Sequence, residues 1–123
     1  MSMNTQSNFS ALLQAYFTER LMGQLNASPH TIASYRDTFR LLIEFAERCL
    51  KKPPTRLSIE DLDAPFVLCF LNSLEKERGN TPRTRNCRLA GIHSFFTYVG
   101  GFCESHKTFK INELYSFMGL NFL

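Results

Sequence analysis

Proline and glycine are scarce in this chain of 123 residues, which has five and six copies of them respectively. Disordered chains and loop-rich β-sandwiches are usually richer in turn-forming or polar residues, whereas 44% of these residues are hydrophobic and 12 are phenylalanine. The composition therefore predicts an α-rich globular protein. The length suits one domain with a modest core rather than two.

Long apolar runs are also missing. Residues 66–71 (FVLCFL) are typical of the longest, and they are far shorter than the roughly 20 residues of a membrane-spanning helix. The N-terminus lacks the basic-then-apolar pattern of a secretion signal. Both absences predict a cytoplasmic protein without membrane contact.

The cysteine pattern argues against disulfides and metals. Cys49, Cys69 and Cys87 fall inside predicted helices, where cysteine usually behaves as a small hydrophobe. Cys103 and His106 form one C-x-x-H pair, but no second pair at zinc-site spacing accompanies it. No phosphate loop, catalytic triad or paired acid and base is assembled either, so we expect no metal, no cofactor and no small-molecule substrate.

Apolar residues at helical spacing predict two helices in the first half of the chain. The first runs from Asn8 to about Gly23. The second starts at Pro29 with Ser28 as its N-cap, because a serine hydroxyl accepts an orphan backbone N–H and a first-turn proline needs no partner. It ends near Lys51, before two prolines. The core stripe predicted for the second helix is Ile32, Tyr35, Phe39, Leu42, Ile43, Ala46 and Cys49 or Leu50.

Two more helices are predicted after a short turn capped by Ser58. The third helix, PFVLCFLNSLEKE, stops before Gly79, which suits the position after a helix. The fourth opens with the same cap-plus-proline device, Thr81 and Pro82, and runs through Val99. The predicted buried residues are Phe66, Val67, Phe70, Leu71 and Leu74 in the third helix, and Leu89, Ile92, Phe96 and Val99 in the fourth.

Four helices joined by short capped turns predict an all-α, compact four-helix bundle over residues 8–100. Residues 1–7 are polar and without periodicity, which predicts a flexible N-terminus. Residues 101–123 are apolar and aromatic without clean periodicity, and we expect an atypical, irregular or partly helical tail there.

Positive charge is concentrated in one short window. Residues 1–75 hold seven basic and eight acidic residues, whereas residues 76–88 hold five basic residues and Glu77 alone against them. Such a cluster is either a solvated surface or a contact to nucleic acid. Its basic members are Lys76, Arg78, Arg83, Arg85 and Arg88.

The helix faces opposite the core stripes leave both interpretations open. On the second helix this side holds Ala33, Ser34, Asp37, Leu41 and Arg48, with Arg36 and Arg40 at its flank. Pairing of Arg40 with Glu44 would make it an ordinary solvated face. On the fourth helix the outward residues are Arg83, Thr84, Cys87, Gly91 and Ser94.

On the outward side of the fourth helix, the cation Arg83 is followed by small residues, which would let a phosphate chain approach the helix backbone closely. Both helices begin with Ser or Thr plus Pro, and a helix N-terminus offers free N–H groups and partial positive charge to phosphates. Arg85, near the core stripe, could equally be anchored by Asp61 or Glu75.

The order of residues in two segments adds a family resemblance. The segments are SPHTIASYRDTFRLLIEFAE and LSIEDLDAPFVLCFLNSLEKERGNTPRTRNCRLAGIHSFFTYV. Their matching positions are Ser28, Thr31, Tyr35, Phe39, Phe45, Leu62, Phe70, Leu71, Leu74, Thr84, Asn86, Arg88, Leu89, Ile92, Phe95 and Phe96. This ordered set resembles the N-terminal core-binding, SAM-like domain of the tyrosine recombinase or phage integrase family.

The resemblance implies half of a C-shaped clamp around double-stranded DNA, with the second and fourth helices crossing the duplex. It also implies that the first helix can contact other recombinase protomers. By the same resemblance, the DNA-binding residues would be Thr31, Ser34 and Arg40 on one helix, and Arg83, Thr84, Cys87 and Arg88 on the other.

The resemblance also shows what this chain lacks. Family members follow this domain with a catalytic domain that has an Arg, a Lys, a His-x-x-Arg pair and a tyrosine nucleophile. No His-x-x-Arg pair occurs here, and Tyr115 lacks the cations that a phenol nucleophile needs. The family-like pattern stops near Gly100, which suggests a truncated or frameshifted reading frame from a mobile element.

Two hypotheses follow from the sequence. The first is a DNA-binding half-clamp of a site-specific recombinase that is not an enzyme by itself. The alternative is a helical protein–protein interaction module without direct DNA contact.

Overall fold

The computed structural model describes residues 8–100, which are almost entirely helical. The chain divides into two compact units, Met1–Ile59 and Glu60–Leu123. Among the described residues no strand forms, and Asn8 and Ser58 make an isolated β-bridge. The predicted all-α fold is confirmed. The predicted N-terminal and C-terminal tails, with Cys103, His106 and Tyr115, lie outside the described residues.

The first helix changes its winding halfway. Helix α1, Phe9–Ala15, begins after Asn8, whose side-chain oxygen accepts the N–H of Ala11 at 2.9 Å. Residues Tyr16–Gln24 continue as a π-helix, and the N–H of Leu25 bonds the carbonyl of Arg20, five residues back, at 2.8 Å. The predicted extent of the first helix is confirmed, but beyond Ala15 its winding is π and not the α winding that a spacing of three and four indicates.

Helix α2, Pro29–Leu50, has the predicted bounds. Its buried residues are Thr38, Phe39, Leu41, Leu42 and Ala46. Leu41, expected on the outward side, is only 5% exposed. Of the two alternatives for the end of the core stripe, Cys49 is exposed and Leu50 is half-buried. Burial of Thr38 is tolerated because its hydroxyl donates to the carbonyl of Ser34 at 3.1 Å. The buried stripe is thus centred nearer Leu41 than the apolar spacing predicted.

Aromatic rings form the core of the first unit. Phe39 of α2 lies 6.4 Å from Phe9, 6.4 Å from Tyr16 and 6.1 Å from Phe17, measured between ring centroids. Phe9, Tyr16 and Phe39 are at most 1% exposed. Their tilted and edge-on geometry is the favourable one for aromatic pairs, so this cluster fixes α2 against the first helix.

A short 3-10 turn, Pro54–Arg56, follows α2 and is fastened to α1. The hydroxyl of Ser10 donates to the carbonyl of Pro54 at 3.0 Å, and the N–H of Phe9 donates to the carbonyl of Leu57 at 3.1 Å. A second 3-10 turn, Ile59–Asp61, follows. Two hydrogen bonds therefore join the turn after α2 to α1.

The second unit contains α3, Ala64–Arg78, and α4, Pro82–Gly100. Asp63 caps α3 by accepting the N–H of Phe66 at 3.0 Å, and Gly79 ends it with φ +64°, as the glycine predicted. Phe66 is half-buried, whereas the other predicted core residues of both helices are buried. The buried residues are Ala64, Val67, Phe70, Leu71, Leu74, Leu89, Gly91, Ile92, Phe95, Phe96 and Val99.

Candidate nucleic-acid interface

The start of α2 holds a pair of hydroxyl groups. The Ser28 Oγ accepts the N–H of Thr31 at 3.1 Å and lies 3.1 Å from the Thr31 Oγ1, within hydrogen-bond distance. The N–H of Ile32 bonds the Ser28 carbonyl at 3.0 Å. Pro29 has no N–H, so the backbone N–H of His30 is the first-turn donor that no described residue engages. His30 is exposed, while Thr31 and Ser34 are half-buried.

Arg40 is held by two carboxylates of its own helix. Its guanidinium lies 2.6 Å from Asp37 and 3.1 Å from Glu44, and about half of each of these side chains is exposed. The hydrogen bond to Asp37 raises the pKa of Arg40 above its ordinary value, so the group stays charged. The pairing with Glu44 that the sequence left open is present. A phosphate at Arg40 would have to compete with both carboxylates.

The start of α4 repeats the arrangement of α2. The Thr81 Oγ1 accepts the N–H of Thr84 at 3.2 Å and lies 3.2 Å from the Thr84 Oγ1. The N–H of Arg85 bonds the Thr81 carbonyl at 2.9 Å. Pro82 again has no N–H, so the backbone N–H of Arg83 has no partner in residues 8–100, nor does its exposed side chain. The second residue of α2, His30, and the second residue of α4, Arg83, therefore each combine an unengaged backbone N–H with a basic side chain.

Arg85 is an anchor between α3 and α4. Its guanidinium lies 2.9 Å from a carboxylate oxygen of Glu75 and 3.0 Å from the amide oxygen of Asn72. The side chain is only 19% exposed. The choice between Asp61 and Glu75 is therefore decided in favour of Glu75, and Arg85 is engaged within the second unit.

The rest of the predicted α4 face is only partly open. Cys87 is exposed and Thr84 is half-buried, but Arg88 is half-buried with its Nε enclosed. Gly91, expected in an open stripe of small residues, is buried, and Ser94 is half-buried. The expected close-approach surface is therefore wrong at Gly91, and the accessible part of this face is its first turn and Cys87.

The seven predicted site residues fall into two groups, one in each unit. Contact of these residues with DNA stays a prediction. Asp37 was not predicted as a partner of Arg40, although an acidic residue three positions earlier on a helix is the signal for such a pair.

The described part of the chain shows no group of three His, Cys, Asp or Glu side chains that could hold a metal ion. Its three cysteines, Cys49, Cys69 and Cys87, are free and exposed. Exposure agrees with the outward position predicted for Cys87, whereas the interpretation of the helical cysteines as small hydrophobes is wrong for Cys49 and Cys69. Over the same residues no helix has the length and apolar character to cross a membrane.

Fold and site together define a small all-α domain whose hydroxyl-capped helix starts present basic residues. Residues 13–99 match the family model described as "Phage integrase, N-terminal SAM-like domain". The chain belongs to this family, and the resemblance proposed from the sequence is confirmed.

Two curated relatives from Sinorhizobium fredii (strain NBRC 101917 / NGR234) are similar to this chain. "Putative integrase/recombinase y4rC" is 54% identical over 105 residues, which are 85% of this chain and 32% of the relative. "Putative integrase/recombinase y4rD" is 53% identical over 88 residues, or 72% of this chain and 31% of the relative. The matched segment thus spans about a third of the length of these relatives. No solved structure matches the chain.

Proposed function

We propose that residues 8–100 bind double-stranded DNA as the core-binding half of a site-specific tyrosine recombinase, and that this chain does not catalyse strand exchange by itself. The observation that supports this most directly is the start of α4. There an exposed arginine, Arg83, and its unengaged backbone N–H occupy the first turn of a helix. Membership of the integrase family makes DNA phosphate the natural anion for this turn.

We expect the first turns of α2 and α4 to contribute more to DNA binding than Arg40 does. A phosphate at Arg83 or His30 meets a backbone donor and a helix dipole without displacing any partner. A phosphate at Arg40 must displace Asp37 and Glu44 or accept their negative charge nearby. We therefore place the main contacts at the first turns, with Thr31, Thr84 and Cys87 beside them and with Ser34, Arg40 and Arg88 secondary.

The proposal is tested by binding a labelled DNA duplex in a fluorescence anisotropy titration at several salt concentrations. Arg83→Ala should weaken binding and lower the slope of log affinity against log salt by about one, because one phosphate contact is lost. Arg20→Ala removes the same charge from the π-helix, outside both predicted DNA faces, and serves as the control. Equal behaviour of Arg83→Ala and wild type would show that α4 is not the contact surface.

Absence of catalysis has its own test. The chain contains no His-x-x-Arg pair, and its matching family model is that of the N-terminal domain. Incubation with nicked duplex substrates should therefore give no covalent protein–DNA adduct on a denaturing gel. An adduct formed by this chain alone would contradict the proposal.

One observation favours the alternative function, a protein interaction module. Met22 and Leu25 are large hydrophobic residues that are 44% and 48% exposed at the end of the π-helix. Met22 also lines an apolar groove of about 610 Å³ in the first unit, together with Phe17 and Ile43. Exposed apolar surface of this kind often marks a protein contact.

The alternative predicts oligomers whose mass in light scattering does not change with salt, and no shift of duplex DNA. Replacing Met22 and Leu25 by serine should then dissociate the oligomers. If wild type is instead a monomer that binds DNA, and the double variant has the same mass and the same DNA affinity, the alternative is wrong.

A further inference from the structure

A second group of cations lies at the end of α2. The nine residues from Arg48 to Arg56 contain four basic side chains and no acidic one. These basic residues, Arg48, Lys51, Lys52 and Arg56, are called the α2-end cluster. We propose that the α2-end cluster is a second phosphate-binding surface, whose ligand is the sugar–phosphate backbone of nucleic acid. The proposal extends the proposed function to residues that α4 does not contain.

The turn that presents Arg56 is held by hydrogen bonds. Pro53 and Pro54 restrict the backbone, and the N–H of Arg56 bonds the carbonyl of Pro53 at 2.9 Å. The hydroxyl of Ser10 holds the Pro54 carbonyl at 3.0 Å, so α1 fixes the turn from the other side. Cations on a fixed backbone lose less conformational entropy when they bind a phosphate chain than cations on a mobile loop.

Lys51 breaks a local rule of helix endings. Its backbone is left-handed, with φ +59° and ψ +37°, a conformation that favours glycine. Helix α3 ends in nearly the same conformation, with φ +64° and ψ +33°, and there the residue is Gly79. The chain thus places a lysine where α3 uses glycine. Residues with strained backbone conformations of this kind often lie at functional sites.

Two cations of the cluster are available to a ligand. Lys51 and Arg56 are exposed, and neither side chain forms an ion pair or hydrogen bond with any described residue. Arg40 and Arg85, in contrast, are engaged by carboxylates. Stabilisation of the α2 dipole would explain a cation at Arg48, but it does not require Lys51 at a glycine-favouring position or Arg56 in the following turn.

The test compares two double variants that remove the same charge. Lys51→Gln with Arg56→Gln removes the two available cations. Arg20→Gln with Arg36→Gln is the control of equal charge in the same unit, at side chains that contact Gln24 and the Phe17 ring. Arg36 precedes Lys51 by 15 residues on α2, or about 22 Å along the helix axis, which exceeds the Debye length of about 8 Å at physiological salt. The probe is a labelled DNA duplex of arbitrary sequence.

We expect the cluster variant to lose about tenfold in affinity and to lower the salt slope by about two, while the control changes less than twofold. Equal losses in both variants would mean a net-charge effect, and no loss in the cluster variant would also overturn the inference. Tighter binding of a polyglutamate peptide than of the duplex at one ionic strength would assign the cluster to an acidic protein partner instead, and would equally overturn it.

The outcome is separate from that of the Arg83 experiment. If Arg83→Ala weakens binding and the cluster variant does not, the proposed function stands and this inference falls. If the cluster variant alone weakens binding, the inference stands and the α4 surface is wrong.

Lys51→Gly distinguishes a binding role from a structural one. Glycine removes the left-handed strain, so the melting temperature should stay equal or rise, while duplex affinity should fall about threefold. Lys51→Arg should keep the affinity of wild type. A more stable Lys51→Gly protein with unchanged affinity would show that Lys51 does not contact the ligand.

Discussion

Arg83 and Arg85 are two residues apart on α4 and have the same charge, but the structure predicts opposite effects for their replacement. Arg85→Gln removes an ion pair to Glu75 at 2.9 Å and a hydrogen bond to Asn72 at 3.0 Å. Arg83→Gln removes an exposed side chain without a partner among the described residues. The first change should therefore affect stability, and the second should affect DNA binding.

The expected size of the stability effect follows from burial. Hydrogen bonds of charged groups contribute about 1.5–3 kcal/mol when well buried, and exposed ion pairs about 0.2–1 kcal/mol. Arg85 is 19% exposed and Glu75 is 38% exposed, so this pair lies between these limits. We expect Arg85→Gln to lower the free energy of unfolding by about 1–1.5 kcal/mol, which is roughly 5 to 10 °C in Tm for a domain of this size.

The assay is urea unfolding followed by circular dichroism, for both variants and for Glu75→Gln. Arg83→Gln should stay within about 0.5 kcal/mol of wild type, as surface changes usually do. A double-mutant cycle should give Arg85 and Glu75 a coupling of about 1 kcal/mol. Equal destabilisation by Arg83→Gln and Arg85→Gln, or zero coupling, would refute the assignment of Arg85 as the anchor.

Three further predictions concern the core, a turn and a histidine. Phe39→Ala should lower the free energy of unfolding by about 3–5 kcal/mol, because the ring is 1% exposed and has three aromatic neighbours; a loss below about 1 kcal/mol in urea unfolding would contradict this. Gly79→Ala should cost about 1 kcal/mol from its φ of +64° alone, since a built Cβ meets no atom within 4 Å, and an unchanged Tm would argue against a left-handed Gly79. Burial lowers the pKa of His93 below its ordinary 6.5, so the unfolded chain takes up the proton first, and the stability from neutral His93 is lost as pH falls through and below 6.5. His93→Gln should flatten this pH dependence of stability, and an equal slope for the variant and wild type would exclude it.

The starts of α2 and α4 could be predicted from the sequence, because their signals are local. Ser28 with Pro29, and Thr81 with Pro82, specify where a helix starts without any tertiary contact. Gly79 specified an end in the same way. The π-helix could not be found, because apolar residues spaced by three, four and five positions satisfy an α-helical stripe almost as well.

The candidate site was only partly accessible to sequence reasoning. The paired hydroxyls and the basic residue of each first turn follow from the cap motif, which is local. The capture of Arg85 by Glu75 depends on how α3 packs against α4, and the burial of Gly91 also depends on tertiary packing, which the spacing of one helix does not contain. Leu41 was misplaced for the same reason, since its burial comes from packing and not from the period of its helix.

The π-helix also limits how the length of this domain can change during evolution. Tyr16 and Leu21 are five residues apart, yet both are almost fully buried, at 0% and 2% exposure. In an α-helix the same two residues would point about 140° apart, so only the wider winding points both inward. Deleting one residue between them, even an exposed one such as Thr18, would restore the tighter α winding. It would also shift every helix residue on one side of the deletion by one position. Homologues without the π-helix should therefore lack one residue in this segment and should have repacked the rings around Phe39.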